Sequence, residues 1–315
     1  MGTDTTGTFW MLSQASTMSG EVDAIFYFIY YVAVFFFLLI VSSIVFFAIR
    51  YRRRGAPGLT SGVDHNIKLE IAWTAIPSII LLIIFIWGFQ GFIRFNVAPK
   101  DALEIKVTGQ RWFWSFDYPN GANVQNELVV PSGIPVKLLM SSRDYIHSFF
   151  IPEFRTKMDV LPNRYTVTWF EAVRQGTFDL FCAEYCGTQH SSMTGVVRVA
   201  SETEFNRWLE EQTAFDETVP PEERGESLFR RKQCYTCHST DGSPNQGPTF
   251  QKLFGKQERL TDGSSVTVDE NYIRESILVP AAKVVAGYQN IMTTYQGLLS
   301  DRELDDLIAF IKSLQ

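Results

Sequence analysis

The sequence predicts a multidomain membrane protein with a two-helix transmembrane hairpin, an all-β domain and an all-α C-terminal domain. Three observations lead to this fold class. Residues 24–49 and 71–93 carry no charged side chain, and each run exceeds the roughly 20 residues that an apolar helix needs to cross a bilayer. Short runs of strand-forming residues separated by Pro, Gly and Asn follow between residues 103 and 200. An amphipathic helical pattern then appears at residues 301–314.

Composition and charge exclude several other classes of protein. The chain has 315 residues, of which 46% are hydrophobic and 20% charged, and these ordinary fractions argue against disorder and against a disulfide-dense scaffold. The two uncharged runs exclude a purely soluble protein. The formal net charge of −6 resides in residues 201–224, which hold eight acidic and two basic groups. No segment is basic enough to indicate nucleic-acid binding.

The N-terminal unit, residues 1–93, is predicted to be the hairpin. Pro77 is compatible with a membrane span because neighbouring groups can satisfy the carbonyl that it frees. Buried core helices are one alternative, and a signal peptide is another for the first run, but the residues before it lack the Lys or Arg that a signal peptide requires. The basic residues lie in the connecting loop, at Arg50, Arg52, Arg53, Arg54 and Lys68. The positive-inside rule therefore places the loop in the cytoplasm and both termini on the periplasmic side of a bacterial plasma membrane.

Residues 94–200 are predicted to form one β domain. Period-two alternation at this spacing is typical of a sandwich or barrel rather than of βαβ units. The clearest predicted strands are residues 103–109, 134–140, 165–170, 176–181 and 195–200.

A loop in this domain combines thiolate, imidazole and thioether ligands. It contains Cys182, Cys186, His190 and Met193, and His147 joins them if a strand end lies beside the loop. Thiolate and imidazole with a weak Met are the ligands of copper electron-transfer sites, and two thiolates four residues apart can bridge two metal ions. A disulfide is one alternative, although closing so short a ring contributes the least loop entropy. A structural zinc site is another, but it has no need of the Met.

Four stretches carry a resemblance to a known family: residues 69–82, 109–119 and 144–164, and the loop at 182–193. Residues 20–200 resemble subunit II of the haem-copper cytochrome c oxidases. The resemblance implies a cupredoxin-like domain with a binuclear CuA centre. Quinol is disfavoured as the electron donor, since related quinol oxidases usually lack this ligand set. The implied copper ligands are the side chains of His147, Cys182, Cys186, His190 and Met193, with the backbone carbonyl of Glu184.

Three further roles are implied by the same resemblance. The Glu184 carboxylate corresponds to a ligand of a magnesium ion at the contact with the oxygen-reducing subunit, the alternative being a surface acid. Trp112 corresponds to an electron-entry tryptophan, although an aromatic triplet in a strand is often core or interface. Glu70 corresponds to a carboxylate at the mouth of a proton pathway, whereas a charge flanking a helix needs no function.

The last part of the chain divides into an acidic linker, residues 201–224, with a short helix at its start, and a domain at residues 225–315. Cys234, Cys237 and His238 form the Cys-x-x-Cys-His signal for attachment of c-type haem. A thioredoxin-like pair requires a βαβ context that is missing, and zinc requires further Cys or His ligands that do not follow.

Met292 is predicted as the second axial ligand of the haem, because no other Met follows residue 193. It precedes the terminal helix, as in the small cytochromes c that this segment resembles, and a His/Met pair raises the reduction potential of the iron. A buried filler Met is the alternative. His65, in the cytoplasmic loop, is the one histidine without a predicted role.

Two one-electron centres on one chain predict an electron relay. The haem takes electrons from an external donor (a soluble cytochrome, a copper protein or a quinol-oxidising complex), and the copper centre passes them to a haem in a membrane partner. The two spans contain no His, so oxygen chemistry belongs to another subunit. The arrangement resembles caa-type oxidases, which implies subunit I as partner, reduction of O₂ to water and proton pumping. The alternatives are a CuA-bearing subunit of a nitric oxide reductase and a free-standing, membrane-tethered carrier.

Overall fold

The computed structural model describes residues 7–55, 62–213 and 218–315. Two long helices, α1 (Ser19–Arg50) and α2 (Ile67–Asn96), contain the predicted spans. Both are long and apolar enough to cross a membrane. Helix α2 remains helical through Pro77. The start of α1 meets the end of α2, where Arg94 forms an ion pair of 2.7 Å with Glu21.

The β domain is a sandwich of two five-stranded sheets. The first sheet has the order β3-β2-β1-β5-β8 and the second has the order β4-β10-β9-β6-β7. The strands are β1 (Leu103–Gln110), β2 (Phe113–Asp117), β3 (Asn123–Gln125), β4 (Glu127–Pro131), β5 (Pro135–Ser142), β6 (His147–Ile151), β7 (Thr156–Val160), β8 (Thr166–Glu171), β9 (Gly176–Cys182) and β10 (Thr194–Ala200). The five clearest predicted runs are confirmed as β1, β5, β8, β9 and β10.

The core lies between the two sheets. Strand β5 illustrates why the sequence folds in this way: Val136, Leu138 and Met140 alternate with more exposed residues and are fully buried. Trp114 on β2 packs edge-on against Phe149 on β6, with ring centroids 5.3 Å apart. These contacts fix β6, which carries His147 at its first position, against the middle of the first sheet.

The hairpin is joined to the sandwich by a buried ion pair. Arg155, in the turn after β6, donates from Nε and Nη2 to the Asp23 carboxylate at 2.7 and 2.9 Å. Less than a tenth of either side chain is exposed. Trp169 of β8 adds a second link by donating its indole N–H to the carbonyl of Arg94 at 2.9 Å. The first turns of α1 and the end of α2 are thus anchored to the β sandwich.

Replacing Asp23 by Ala is expected to destabilise the protein by about 3–5 kcal/mol, because the Arg155 guanidinium then stays buried without a carboxylate. Thermal unfolding in detergent, followed by circular dichroism, measures the change. Glu104→Ala serves as the control, since it removes a half-exposed pair with Lys137 that contributes at most about 1 kcal/mol. Equal melting temperatures for the two variants would contradict this account of the joint.

Helix α3 (Glu202–Thr213) confirms the predicted short helix after the β domain. It packs on the sandwich, because Phe205 is buried and Trp208 lies edge-on to Tyr118, with ring centroids 5.1 Å apart. Residues 214–217 of the predicted linker lie outside the described residues. Helix α4 (Pro221–Arg231) begins inside the predicted linker, with a proline at its first position, where the missing N–H costs nothing.

The C-terminal domain is helical with one small hairpin. It contains α4, the strands β11 (Gln257–Arg259) and β12 (Ser265–Thr267), α5 (Glu270–Leu278) and α6 (Asp301–Ser313). Helices α4 and α6 cross at Gly225, where an added Cβ would lie 2.0 Å from the carbonyl oxygen of Asp306. Next to the crossing, Phe229 packs on Phe310 with centroids 5.4 Å apart. On α6, Leu307 and Ile311 line a cavity in this part of the structure.

Candidate metal centre and haem pocket

The predicted thiol and imidazole ligands meet where β6 and β9 run side by side. Phe149 pairs with Cys182 in the ladder between these strands, so the start of β6 lies beside the loop that follows β9. The Cys182 Sγ lies 3.9 Å from the His147 Nδ1 and 3.9 Å from the Cys186 Sγ. The three ligand atoms of His147, Cys182 and Cys186 lie within 4.8 Å of one another. A disulfide has an S–S bond of about 2.05 Å, so the cysteines are two separate thiols.

The remaining predicted ligands lie on the Cys186 side of the cluster. The Cys186 Sγ is 3.6 Å from the His190 Nδ1 and 3.7 Å from the Met193 Sδ. A short 3₁₀ turn over His190–Ser192 places these two side chains next to each other, and Met193 is fully buried. The Glu184 carbonyl oxygen lies 3.2 Å from the Cys182 Sγ. The structure therefore brings all six predicted groups together, with one imidazole beside each thiol.

The two thiols differ in their affinity for a proton. Burial opposes ionisation of Cys182, but hydrogen bonds with His147 and with the backbone of Ser148 and Glu184 outweigh it and lower the pKa to about 6. Burial and the neighbouring Cys182 sulfur raise the pKa of Cys186 to about 12. One negative charge is thus stabilised by the protein alone. The second thiolate needs a cation beside it, as a metal site provides.

Asp144 orients the first imidazole, a role that the sequence analysis missed. Its Oδ1 accepts a hydrogen bond of 2.9 Å from the His147 Nε2, which leaves Nδ1 facing the thiols. Burial opposes ionisation of Asp144, but hydrogen bonds from His147 and from the backbone N–H groups of Arg111 and Tyr145 lower its pKa to about 2. The spacing Asp-x-x-His at the start of a strand is the only signal that could have indicated it. A carboxylate behind a ligating imidazole fixes its tautomer and raises its basicity.

Asp144→Asn is expected to weaken metal binding by about 10–100-fold, because the amide can neither enforce the tautomer nor stabilise charge on the His147 ring. Copper titration in competition with a chelator measures the affinity. Asp179→Asn is the matched control, since Asp179 is exposed on β9. Unchanged affinity in Asp144→Asn would mean that the ring is held by packing alone.

The Cys-x-x-Cys-His motif lines a cavity in the C-terminal domain. Cys234, Cys237, His238 and Met292 are all among its wall residues. The His238 Nδ1 donates a hydrogen bond of 2.7 Å to the Pro248 carbonyl, and the ring stacks on Phe250 with centroids 4.5 Å apart. This leaves Nε2 free to bind a metal. The donor set therefore suits a haem held through two thioethers and one axial imidazole.

Local packing supports this reading of the motif. An added Cβ at Gly247 would lie 2.6 Å from the His238 Cε1, so a residue with no side chain is required beside the ring. Burial raises the pKa of Cys234 to about 12 and also raises that of Cys237. Thiols of a thioredoxin-like pair have lowered pKa values instead, which disfavours that alternative.

Trp112 lies between the two sites. On one side its ring faces the loop after Cys186, because an added Cβ at Gly187 would lie 3.3 Å from the Trp112 Cζ2. On the other side it lines the cavity that contains Cys234 and His238. Its Nε1 is buried without a hydrogen-bond partner in the structure. The ring is thus an interface residue rather than a member of the sandwich core.

The two predicted acidic residues differ in their surroundings. Glu184 is exposed, so its carboxylate is available at the surface. The Glu70 carboxylate accepts a hydrogen bond of 3.2 Å from the backbone N–H of Asn66, while the Asn66 side chain accepts one from the N–H of Leu69. Glu70 therefore has a local role in capping α2. His65 is exposed and lies beside Asp64.

Comparison with known proteins gives a match to each of the three parts of the chain. The family model for the transmembrane domain of cytochrome c oxidase subunit II matches residues 5–90, the model for its periplasmic domain matches residues 121–200, and the cytochrome c model matches residues 222–315. These matches agree with a membrane hairpin, a cupredoxin-like sandwich and a cytochrome c domain.

Individual relatives carry the same name. Cytochrome c oxidase subunit 2 of Alkalihalophilus pseudofirmus is 31% identical over 289 residues, which cover 86% of this chain and 81% of the relative. The Bacillus subtilis subunit 2 is 28% identical and covers 85% and 81%. A solved periplasmic domain of subunit II from Bradyrhizobium japonicum is 34% identical, covering 37% of this chain and 96% of that one, with a TM-score of 0.36. The chain therefore belongs to the cytochrome c oxidase subunit II family and carries a C-terminal cytochrome c domain.

Proposed function

We propose that this chain is the electron-entry subunit of a terminal cytochrome c oxidase. Its c-type haem receives electrons from an external donor, its binuclear CuA centre receives them from the haem, and subunit I uses them to reduce O₂ to water with proton pumping. The observation that carries the proposal is the position of Trp112, which faces the loop of the thiol cluster and also lines the haem cavity. Because the Trp112 ring contacts both the thiol loop and the cavity of the haem motif, it provides a short path for an electron between the two sites.

The copper centre is assigned to the six grouped ligands. Two thiols 3.9 Å apart, two imidazoles and the Met193 thioether make five sulfur and nitrogen donors, one more than the four that a structural zinc site uses. This donor set would hold two copper ions, with His147 and His190 as the nitrogen ligands and both cysteines as thiolate ligands. Met193 and the Glu184 carbonyl complete the set. When bound, such a copper pair supplies a one-electron centre.

The haem is assigned to Cys234 and Cys237 as thioether partners and to His238 and Met292 as axial ligands. The hydrogen bond from His238 to Pro248 holds the imidazole in one orientation and strengthens its donor nitrogen. Bound haem c supplies the second one-electron centre. Phe250 and Ile291 contribute apolar surface to the cavity wall.

Met292→Ala is expected to lower the haem midpoint potential by on the order of 0.1 V, within the ~0.8 V range that axial ligands control, because the thioether favours reduced iron. Redox titration followed at the haem absorption bands measures the shift. Ile291→Ala, which alters the same cavity wall, should leave the ligation bands unchanged. An unaltered spectrum and potential in Met292→Ala would assign Met292 to packing.

The remaining roles complete the proposal. The functional units follow the divisions 1–93, 94–200, 201–224 and 225–315, with both termini on the periplasmic side of a bacterial plasma membrane. The exposed Glu184 carboxylate is available for a magnesium ion shared with subunit I. Trp112 is the electron-entry residue, and Glu70 lies at the mouth of a proton pathway in addition to capping α2. The donor is a soluble cytochrome, a copper protein or a quinol-oxidising complex.

The assembled complex, purified through a tag on this chain, tests the function directly. Two coppers per c-type haem, an EPR signal from one electron shared over two copper nuclei, and copurification of a haem-copper subunit are expected. Rapid photoreduction of the c-type haem should then be followed by reduction of copper. Copurification of a nitric oxide reductase core, or of no catalytic subunit, would replace the oxidase with one of the two other functions. A haem that is reduced without passing its electron to copper would exclude the relay.

A further inference from the structure

The cytochrome domain docks on the sandwich through a buried lysine. Lys232, directly after α4, is only 3% exposed. Its Nζ donates to the Asn123 Oδ1 at 2.6 Å and to the Asn123 carbonyl oxygen at 3.2 Å, and it lies 3.5 Å from the Leu298 carbonyl oxygen. Asn123 belongs to β3 of the sandwich, 109 positions away. An ammonium of the haem domain is therefore held mainly by a side chain of the copper domain.

Asn123 connects this ammonium to a carboxylate. Its Nδ2 donates to the Asp117 Oδ1 at 2.6 Å and to the Ser115 Oγ at 2.8 Å, and Asp117 is its cross-strand partner on β2. The amide thus accepts from a cation on one side and donates to an anion on the other. Such an arrangement is an ion pair bridged by an amide, and each charge polarises the amide in the sense that strengthens the other hydrogen bond.

The residue after Lys232 adds a second polar contact. The Gln233 Oε1 accepts a hydrogen bond of 2.7 Å from the Asn126 Nδ2. Asn126 is itself held on the sandwich, because its Oδ1 accepts from the Trp114 N–H at 2.7 Å. Both residues have a left-handed backbone, with φ of 54° for Gln233 and 56° for Asn126. The backbone turns sharply at both residues, and each turn directs the side-chain amide of Gln233 or Asn126 towards the other domain.

Further contacts extend the interface around the mouth of the haem cavity. Tyr295 stacks on Phe113 with centroids 6.1 Å apart and an interplanar angle of 10°, and its hydroxyl donates to the Lys232 carbonyl at 3.2 Å. Arg143 donates to the Gln296 carbonyl at 3.0 Å. The segments on either side of the haem motif and Met292 are thus tied to the sandwich. Of the two charged side chains in this interface, Lys232 is buried and Arg143 is exposed.

We propose that Lys232 and Asn123 form a latch that keeps the cytochrome domain docked on the copper domain in one orientation. Lys232 is a positioning residue: it lines the cavity of the Cys-x-x-Cys-His motif without being one of the proposed ligands, and because Asn123 holds its ammonium, it acts by fixing that cavity against Trp112. The latch as a docking device stands independently of the proposed function, whereas its effect on electron transfer rests on it. The haem domain is accordingly a fixed part of the periplasmic unit rather than a tethered carrier that swings to meet its partners.

The free energy of the interface is favourable when Lys232 and Asn123 are both present and unfavourable when only one of them remains. Burial lowers the pKa of Lys232, which reflects the cost of holding a charge there. Removing one partner of a buried, hydrogen-bonded charge is strongly unfavourable because the other is left unpaired, whereas replacing both by apolar residues is often neutral. Single substitutions on either side should therefore open the interface, and the double substitution should close it again.

Amide hydrogen exchange on the full-length, haem-loaded chain in detergent tests the latch. Lys232→Met and Asn123→Leu are each expected to reduce protection in segments 113–126 and 294–296 by at least roughly 30-fold. The double variant Lys232→Met/Asn123→Leu should recover most of the protection. Lys312→Met, which removes a lysine paired with Glu270 on the far side of the same domain, is the control and should behave as the unsubstituted chain.

The outcomes separate docking from folding and from function. If the Lys232→Met chain misfolds and loses its haem absorption, the exchange data of Asn123→Leu test the latch instead, because that substitution leaves the cytochrome domain unchanged. Wild-type protection in a folded single variant, or no recovery in the double variant, overturns the latch. In copper-loaded chains, the undocked variants should transfer electrons from haem to copper at least about 10-fold more slowly with an unchanged haem potential. If the unsubstituted, docked chain shows no electron transfer from haem to copper, the relay is contradicted, whereas the hydrogen-exchange evidence for the latch is unaffected.

Discussion

Cys186→Ser is expected to remove the proposed binuclear copper centre while leaving the proposed haem in place. A serine hydroxyl is a hard donor that stays protonated near neutral pH, so it can neither bridge two ions nor supply the second negative charge. The substitution also removes the sulfur atom that His190 and Met193 both contact, since each lies within 3.7 Å of the Cys186 Sγ. Copper content should fall from two ions to one or none, and electron transfer from the haem should fall by at least 100-fold.

Metal analysis and EPR of the purified complex measure this effect together with oxidase turnover. Ser191→Ala provides the control, because Ser191 lies in the same loop and is exposed. It should retain both coppers and full turnover. A Cys186→Ser complex that still shows one electron shared over two coppers would mean that the bridging sulfurs have been assigned wrongly.

Gly225→Ala is expected to have the largest effect on the stability of the cytochrome domain. The added methyl group would lie 2.0 Å from the Asp306 carbonyl oxygen and 2.7 Å from the Phe310 Cβ, so the backbones of α4 and α6 must move apart. Overpacking of this kind costs about 1–3 kcal/mol, and more where the obstacle is backbone. The separation would also strain the Arg224–Asp306 ion pair beside the crossing.

Thermal unfolding followed at the haem absorption bands reports on this domain alone. The expected result is a clearly lowered melting temperature together with reduced haem incorporation. Ser227→Ala lies on the exposed face of the same helix and should change stability by no more than about 0.5 kcal/mol. A Gly225→Ala chain as stable as this control would show that the two helices can cross at a wider distance without loss.

Much of the architecture could be predicted because its signals are local. The alternation of Val136, Leu138 and Met140 identifies a strand from a few neighbouring residues, and Cys-x-x-Cys-His brings its chemistry within five positions. The proposed copper loop is similar, since five of its six ligand residues lie within twelve positions and only His147 comes from another strand. Residue type, spacing and the family resemblance therefore indicated the residues of both candidate sites before their geometry was known.

The features that could not be predicted depend on partners far apart in the sequence. The parallel pairings of β1 with β5 and of β4 with β10 leave no mark on either strand's own pattern. Asp144 has a role only because β6 turns the His147 ring towards the thiols. The predicted linker extends to residue 224, whereas α4 already begins at Pro221, and the packing of Phe205 of α3 on the sandwich depends on residues far away in the sequence. Lys232 gave no signal, because its partner is contributed by another domain.

The buried pair of Asp23 and Arg155 has a consequence for the distance between the thiol cluster and the helical hairpin. Strand β6 holds His147 at one end and leads into the turn of Arg155 at the other. Since a strand rises about 3.3 Å per residue, its five residues span about 16 Å. The strand therefore acts as a rigid spacer between the cluster and the joint with the hairpin.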